Sequence, residues 1–294
     1  MTSRPPVGPT RRTVLIAAGA AGAASAAMTS GPAAAAAGPA PRTGDNPVVR
    51  ENRNPGSGRW VIGAKETRGV DLRRPQIQGR PASASVAPGE TLTLHLSAAT
   101  TARTARTCEI EIHRFGFYGG ERSRLLHTAA EVPVDRPWRL PVPGTWVSGV
   151  FLAVLTADGY RAYAPFVVRE PARRSDVLAV VPLAYPGLRP HPGLGMPAAF
   201  GAEVSAYRWL EEAGYDVTYA TEEDVRARRV DPRRHRAVVH SSAAVRSAAV
   251  PGSVALRRPL ALSEPGHIDP EARRQAAALL DGVLPAGRRA TAPS

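Results

Sequence analysis

The hydrophobic pattern of this chain changes its period at residues 171–174, and this change constrains the fold more than any other feature. Before it, short apolar–polar alternations such as Thr91–Leu96 and Cys108–His113 are separated by Pro and Gly. Alternation with a period of two is typical of strands that bury one face. After it, an apolar run at Val177–Val181 is followed by amphipathic segments. The sequence therefore predicts a mixed fold, an antiparallel β sandwich followed by an α/β domain.

The predicted sandwich spans residues 48–170 and contains one well-marked hairpin. Val150–Thr156 is continuously apolar, as a central strand covered on both faces would be. Tyr163–Val168 completes the hairpin across Asp158–Gly159. Pro165 cannot donate a ladder hydrogen bond, so we expect it at a sheet edge or a bulge.

Cys108 is the only cysteine of the chain, so no disulfide can form within it. The fold must then be stabilised by its core alone. Strand alternation places Cys108 on one face with Ile110 and Ile112, which indicates a buried and unreactive thiol.

The predicted α/β domain spans residues 175–284. Strands and helices alternate in it, which is typical of a doubly wound sheet. In chain order the elements are a strand at Val177–Val181, a helix at Glu203–Gly214, a strand at Val217–Ala220, a helix at Glu222–Arg228 capped by Thr221, and a strand at Ala237–His240. Weaker patterns predict a strand within Val254–Leu262, a helix at Pro270–Leu280 and a loose tail over residues 285–294.

The N-terminus has the composition of an export signal. Arg11 and Arg12 belong to a basic segment without acidic residues, and an Ala/Gly-rich stretch at Val14–Ala27 follows them. That stretch is too short and too weakly apolar to span a bilayer stably. Small residues at Ala33–Ala37 predict cleavage after Ala37, which leaves residues 38–47 as a linker.

The segment Thr10–Leu15 resembles the twin-arginine signal motif, with Val14 where that motif usually carries Phe. The resemblance implies that the twin-arginine export machinery carries the folded protein to a secreted or extracellular location at the cell envelope. A general secretory signal and an uncleaved N-terminal anchor are the alternatives. After cleavage we expect no membrane span.

The chain is strongly basic, with a formal net charge of +13 at pH 7, and Lys65 is its only lysine. A nucleic-acid-binding protein would cluster its arginines on one element with aromatic residues between them. Here the arginine pairs are scattered along the chain. We therefore expect no nucleic-acid partner and a solvated basic surface able to contact an anionic cell envelope.

Five segments carry a resemblance to a known family. They are Glu51–Gly56, Ser85–Glu90, His113–Gly120, Trp146–Phe151 and Trp209–Val217. In these segments the chain resembles secreted actinobacterial relatives of the large (beta) subunit of N,N-dimethylformamidase. The resemblance implies a β sandwich followed by an α/β domain of glutamine-amidotransferase-like fold. The Phe-Gly-Phe-Tyr-Gly-Gly and Trp-Val-Ser-Gly motifs are the most specific parts, and we interpret them as a structural turn and a core tryptophan.

The resemblance also implies a mononuclear iron held by two tyrosines and one glutamate, which activates water against an amide carbonyl. Tyr185 matches one tyrosine, as a candidate metal ligand. His240 keeps the place of a histidine near the glutamate, as a candidate catalytic residue, but Ser242 stands where the glutamate belongs. The insertion that would carry the second tyrosine is missing. We therefore expect a shortened, divergent and non-catalytic member with a binding or envelope-associated role. We expect it to hold no cofactor, or iron if the family site survives.

Three alternatives stay open. The first is an active amide hydrolase with a rearranged site around Tyr185, His240 and nearby carboxylates. The second is a segment after Ser242 that has not been selected for folding. The third is a site of another kind, either a metal site of histidines and carboxylates or a serine nucleophile. It is less favoured, because the histidines lack the close helical spacing of a metal site and the serines lack a Gly-x-Ser-x-Gly context. Its candidate residues are His191, His235, His240 and His267 with Glu203 or Glu264 for a metal, and Ser241 or Ser242 as a nucleophile.

Overall fold

The computed structural model of the protein describes residues 45–71, 73–98, 106–183 and 206–240. It also describes short pieces at 253–255, 262–264 and 267–268 and the helical residues 274, 277, 278 and 280. The chain divides into two units, Met1–Ala37 and Gly38–Ser294, and every described residue belongs to the second. The predicted signal and its cleavage position therefore lie outside the described residues. Among the described residues, no helix has the length and apolar character that crossing a bilayer requires.

The structure is mostly β-sheet, and nine strands lie before residue 170. They are β1 (Arg68–Gly69), β2 (Ile77–Pro81), β3 (Ser85–Val86), β4 (Thr91–Ala98), β5 (Thr107–Phe115), β6 (Ser123–Pro133), β7 (Trp138–Pro141), β8 (Gly149–Ala157) and β9 (Tyr160–Val168). A six-stranded sheet has the order β1-β9-β8-β5-β6, with β3 also paired to β9. A three-stranded antiparallel sheet has the order β2-β4-β7. The predicted hairpin is confirmed, since β8 and β9 pair across Asp158 and Gly159.

One face of the six-stranded sheet packs against the three-stranded sheet. Leu92 and Leu94 of β4 and Phe151 of β8 are fully buried in this core. Cys108 lies there with Ile110, as predicted from the alternation, and burial raises the pKa of its thiol to about 11. The thiol therefore stays protonated and unreactive at neutral pH.

Pro165 lies at a position of β9 where neither β1 nor β3 pairs with the strand, so its missing N–H removes no hydrogen bond to them. The amide of Val167 donates to Ala84 O at 2.9 Å, and amides two residues apart on a strand point the same way, so the Pro165 nitrogen faces the same side. On that side β1 pairs only with Tyr160 and Arg161, and β3 pairs only with Val167 and Val168. The ring nitrogen thus faces the interval between two short strands, so Pro165 lies in an internal strand, at a point where neither β1 nor β3 is paired with it.

A four-stranded parallel sheet follows, with the order β11-β10-β12-β13. Its strands are β10 (Val177–Val181), β11 (Val217–Thr221), β12 (Ala237–His240) and β13 (Ser253–Ala255), and a separate hairpin pairs β14 (Leu262–Glu264) with β15 (His267–Ile268). The three strands predicted before residue 240 are confirmed, two of them with the predicted bounds. The continuous apolar runs of β10 and β12 reflect burial on both faces.

Three α-helices accompany the sheets in the described residues up to 240, and the helical residues 274, 277, 278 and 280 belong to the region of the predicted helix Pro270–Leu280. The three helices are α1 (Pro47–Asn52), α2 (206–212) and α3 (Glu222–Arg226). The predicted cap of α3 is confirmed, because the Thr221 side chain accepts from Asp224 N and the Asp224 side chain accepts from Thr221 N. Gly214 after α2 has a φ of 76°, the left-handed conformation expected of a C-terminal cap.

Helix α1 departs from the sequence prediction, which placed Pro47 in a linker. Asn46 caps this helix by accepting from Val49 N at 2.9 Å, and its Nδ2 donates to Gly214 O at 3.2 Å. The ordered chain therefore begins before residue 48. Asn followed by Pro is a helix-start signal, so the local sequence contained this information.

The second face of the six-stranded sheet packs against the α/β part. Leu152 and Val154 of β8 share one buried cluster with Tyr207 and Trp209 of α2 and with Val177 of β10. A smaller cluster that includes Leu178 and Val238 covers the far face of the parallel sheet. Strand β8 is therefore covered on both faces, as its continuous apolar run predicts.

Candidate functional site

Four of the five segments that carry the family resemblance, all but Ser85–Glu90, converge on one buried polar network between the six-stranded sheet and the parallel sheet. Arg114 extends from β5 and Glu211 from α2. Arg114 Nη1 donates to Glu211 Oε2 at 3.0 Å and Nη2 donates to Oε1 at 2.8 Å. Their side chains are 0% and 1% exposed. A buried bidentate pair of this kind fixes both the distance and the orientation of the two elements.

Glu211 has a second partner on each carboxylate oxygen. Asn52 Nδ2 donates to Oε2 at 2.7 Å, and the Tyr219 hydroxyl donates to Oε1 at 2.8 Å. Arg114 uses further donors on Ser148 O at 2.9 Å and on the Tyr118 hydroxyl at 3.1 Å. The charges are therefore both paired and hydrogen-bonded, which is what makes burial of an ion pair tolerable.

The glycine-rich turn after β5 is built around the same network. Asn52 Oδ1 accepts from the amides of Phe117 and Tyr118 at 2.7 and 3.0 Å. Gly119 and Gly120 have φ values of 64° and 100°, which other residues resist. A Cβ at Gly116 would lie 2.6 Å from Glu211 Oε2 and 2.8 Å from Arg114 Nη1. The interpretation of the motif as a structural turn agrees with these contacts.

The remaining motif residues connect the network to neighbouring strands. Ser148 Oγ donates to Val168 O and accepts from Tyr219 N, both at 2.9 Å, and so joins β9 to β11. Glu51 accepts from the Tyr118 hydroxyl and from Arg124 Nη1, both at 2.9 Å. The motifs therefore act together as a joint between the two parts of the fold.

Electrostatics keep the groups of this joint in fixed protonation states. Burial disfavours the charge of Arg114, but Glu211 reverses this effect and raises the pKa of Arg114 well above its ordinary value. Burial and the Glu211 carboxylate raise the pKa of Tyr219. Burial also raises the pKa of Tyr118. Both phenols thus stay neutral hydrogen-bond donors.

Glu211, Tyr219 and Tyr207 are the donor types that the resemblance implies for iron, yet this set does not fit an iron site. The carboxylate is committed to Arg114, whose positive charge would repel a cation. The Tyr219 phenol keeps its proton, and the Tyr207 hydroxyl donates to Val180 O at 3.2 Å. Within the part of the chain that the structure describes, no cluster of three or more His, Cys, Asp or Glu side chains is placed to hold a metal.

His240 ends β12 at the carboxyl edge of the parallel sheet. It is 4% exposed and pairs in register with Val180 of β10. In this sheet β11 lies on one side of β10 and β12 on the other, so the chain reverses its direction of growth at β10. Open α/β sheets bind ligands at the carboxyl edge of such a reversal. Tyr185, Ser241 and Ser242 lie outside the described residues, so their roles stay predictions.

The alternative histidine cluster is not brought together where it is described. His235 precedes β12, and its Nδ1 lies 3.1 Å from both Ser175 Oγ and Ser175 O at the amino edge of the sheet. His240 lies at the opposite edge. His191 and Glu203 are outside the described residues, and the backbones of Glu264 and His267 pair in the β14–β15 hairpin.

A second buried polar cluster escaped the sequence prediction. Ser123, His113 and Glu111 have the order of a nucleophile, base and carboxylate, with 3.3 Å from Ser123 Oγ to His113 Nδ1 and 3.7 Å from His113 Nε2 to Glu111 Oε2. However, the three residues are at most 1% exposed, and Ser123 Oγ donates to Ser57 O at 2.6 Å. The serine is therefore a structural donor. The alternation of β5, which puts Glu111 and His113 on one face, was the sequence signal for this cluster.

Comparison with known proteins gives one family match. Residues 109–185 match the family described as N,N-dimethylformamidase beta subunit-like, C-terminal. The match confirms the predicted resemblance over these residues, which contain Arg114, Tyr118 and Ser148. No curated protein matches the chain.

Among solved structures the chain is similar to a Paenibacillus cycloisomaltooligosaccharide glucanotransferase at 13% identity and a TM-score of 0.26, over 59% of this chain and 20% of that one. It thus spans about a fifth of that enzyme's length. A superoxide reductase (neelaredoxin) from Ignicoccus hospitalis matches at 14% identity and a TM-score of 0.23, over 32% of this chain and 81% of that one. The sulfur carrier protein SoxY from Chlorobium limicola f thiosulfatophilum matches at 15% identity and a TM-score of 0.22, over 37% and 92%. With TM-scores this low, these likenesses carry no argument about fold or function.

Proposed function

We propose that this chain, whose residues 109–185 match the N,N-dimethylformamidase beta subunit-like family, is a divergent, non-catalytic member that is exported and has a binding role at the cell envelope. The observation that carries the proposal is the commitment of the Glu211 carboxylate to Arg114 and of the Tyr219 hydroxyl to Glu211. On this proposal, the Glu211 carboxylate joins two sheets and does not activate water.

The fold proposed for this role is a β sandwich followed by a shortened, doubly wound domain of glutamine-amidotransferase-like fold. The packing of the three-stranded sheet on the six-stranded sheet supports the first part. The parallel order β11-β10-β12-β13 supports the second. The shared core between them means that the two parts are expected to fold and unfold as one unit.

The envelope role rests on charge. The formal net charge of +13 becomes +10 when the proposed cleavage removes Arg4, Arg11 and Arg12, and a chain this basic is attracted to anionic surfaces of any kind. The expected partner is thus an anionic envelope component. Binding to vesicles or cell-wall fragments that carry negative charge should weaken steeply as salt is raised.

Loading with iron tests the loss of the family activity. The purified chain is incubated with ferrous iron under anaerobic conditions and dialysed, and bound metal and hydrolysis of N,N-dimethylformamide are then measured. We expect neither stoichiometric iron nor formation of dimethylamine. One tightly held iron per chain together with amide hydrolysis would show that a working centre exists.

The second candidate function is an amide hydrolase with a rearranged site around His240 and Tyr185. It is favoured by the position of His240 at the carboxyl edge of the sheet, where β10 and β12 lie side by side. This candidate predicts amide hydrolysis that is lost in His240→Ala and retained in His95→Ala, a change at an exposed histidine of β4. Equal activity of the two variants would remove His240 from the reaction.

A further inference from the structure

Three buried polar atoms converge on one point between β5, β9 and the segment that precedes β1. They are Glu111 Oε2, His113 Nε2 and Arg161 Nη2, and none of them has a hydrogen-bond partner among the described residues. Glu111 Oε2 lies 3.7 Å from His113 Nε2 and 3.8 Å from Arg161 Nη2. The side chains are 0–1% exposed. These separations are too long for direct hydrogen bonds and short enough for one small molecule to contact all three atoms.

The other polar atoms of these side chains are already committed. Glu111 Oε1 accepts from Arg59 Nη2 at 2.6 Å and from Lys65 Nζ at 3.1 Å. Arg161 Nη1 donates to Arg59 O and Val61 O at 2.5 and 3.0 Å. The side chains cannot turn to satisfy the three free atoms without losing these bonds.

The tautomer of His113 follows from its other nitrogen. Ser123 Oγ uses its hydrogen on Ser57 O, so it can only accept from His113 Nδ1, which lies 3.3 Å away. Nδ1 therefore carries the proton, and Nε2 is an acceptor. The Glu111 carboxylate oxygen is a second acceptor, and Arg161 Nη2 is a donor.

We propose that Glu111, His113 and Arg161 bind a single internal water molecule, which donates to His113 Nε2 and Glu111 Oε2 and accepts from Arg161 Nη2. Two hydrogens and a lone pair match two acceptors and a donor. A buried water with three such partners is a structural component of a protein. It joins β5 to β9 and holds the Arg59–Lys65 segment over them.

The charges of Glu111 and Arg161 exclude a simple cation or anion as the group bound between the three atoms. The Arg161 guanidinium faces the point and would repel a cation, while the Glu111 carboxylate would repel an anion. Burial alone would raise the pKa of Glu111, but the bonded cations Lys65 and Arg59 lower it, so the carboxylate is ionised at neutral pH. Burial lowers the pKa of His113, which keeps its ring neutral.

A high-resolution crystal structure of the purified chain tests the proposal. We expect a single peak of solvent density at hydrogen-bond distances of about 2.7–3.2 Å from all three atoms. Density for an ion, for a side chain of the protein, or for direct bonds among the three atoms would overturn the proposal. The ¹⁵N shifts of His113 give an independent test, because protonation at Nε2 would contradict it.

A variant pair tests the same point in solution. Magnetic relaxation dispersion of water counts long-lived internal waters, and His113→Phe should show one fewer than the wild type. The control Glu109→Gln changes a carboxylate on the same strand that contacts Lys65 from a more exposed position, and it should keep the count unchanged. Equal counts in both variants would overturn the proposal, and if His113→Phe does not fold, the ¹⁵N shifts of the wild type decide.

Discussion

At the scale of the residue, Glu211 is the side chain on which the joint between the two sheets depends. It accepts from Arg114, Asn52 and Tyr219, which come from three separate segments of the chain. Helical periodicity places Tyr207 and Leu210 on the packing face of α2, but it does not predict that an acidic residue beside them is buried. The partner that makes this burial possible lies on β5 and is distant in sequence, so a local pattern contains no signal for it.

The change Glu211→Gln should destabilise the protein strongly. It leaves the buried Arg114 guanidinium without a counter-charge, and we expect a loss of about 3–5 kcal/mol in the free energy of unfolding. Urea denaturation followed by circular dichroism measures it. The matched control Glu223→Gln removes an exposed ion pair with Arg229 and should cost less than about 1 kcal/mol. Equal losses in the two variants would contradict the role of the buried pair.

Gly116 should not tolerate a side chain. In Gly116→Ala the new Cβ would lie 2.8 Å from Asn52 Oδ1 as well as close to Glu211 and Arg114, so the joint must shift. We expect a cost of about 1–3 kcal/mol, read from the same denaturation curves. Gly144→Ala is the control, because a Cβ at Gly144 would meet nothing within 4 Å. A neutral Gly116→Ala would mean that the network is less closely packed than the structure indicates.

At the scale of the element, strands were easier to predict than polar contacts. The bounds of β10 and β12 follow from continuous apolar runs, and β5 follows from its alternation. The polar residues of β5 were unexplained, because Glu111, His113 and Arg114 look like solvent-facing residues until the structure shows what covers them. The local sequence of a strand such as β5 shows which residues alternate between its two faces. Whether its polar residues are buried depends on tertiary packing.

The sheets should lose stability in mild acid. Burial lowers the pKa of His113 and of His235, so below the ordinary histidine pKa of about 6.5 the unfolded chain binds more protons than the folded chain. The free energy of unfolding should therefore fall as pH is lowered from about 7.5 to about 5.5. His235→Gln should reduce this slope, and the change His95→Gln at an exposed histidine should leave it intact. A slope that is the same in both variants would exclude His235 as a contributor.

The capping box of α3 can be tested by one substitution. Thr221→Ala removes the side chain that accepts from Asp224 N and donates to Asp224 Oδ2 at 2.7 Å. The expected cost is about 1 kcal/mol or somewhat more, since the partner carboxylate is buried. Thr93→Ala on β4, a partly exposed position, provides the comparison. A result within error of that control would show that Ser85, Arg229 and the backbone amide of residue 221 are enough to hold Asp224 in position.

At the scale of the whole molecule, the six-stranded sheet is the centre of the fold. The three-stranded sheet covers one face and the α/β part covers the other. The sequence predicted two successive domains, because a change of period along the chain is visible in it. That both parts share a central sheet was not visible, since the contacts of β8 on its second face are made by residues that follow much later in the chain.

Export can be tested on the whole chain. The double change Arg11→Lys with Arg12→Lys should abolish appearance of the protein outside the cytoplasm, while Arg4→Lys should not, because the twin-arginine pair is read as a specific signal. N-terminal sequencing of the exported protein should begin at Gly38. Continued export of the double variant would point to the general secretory route instead.

The interval between β1 and β3 beside Pro165 affects whether another strand can pair along this side of β9. An exposed strand edge is a template on which other chains polymerise, and a proline that withholds a donor midway along the edge interrupts that template. With β1 and β3 occupying the two ends of β9, an incoming chain finds no continuous row of donors and acceptors to extend. A strand added on this side of β9 would therefore meet a gap in the ladder at Pro165.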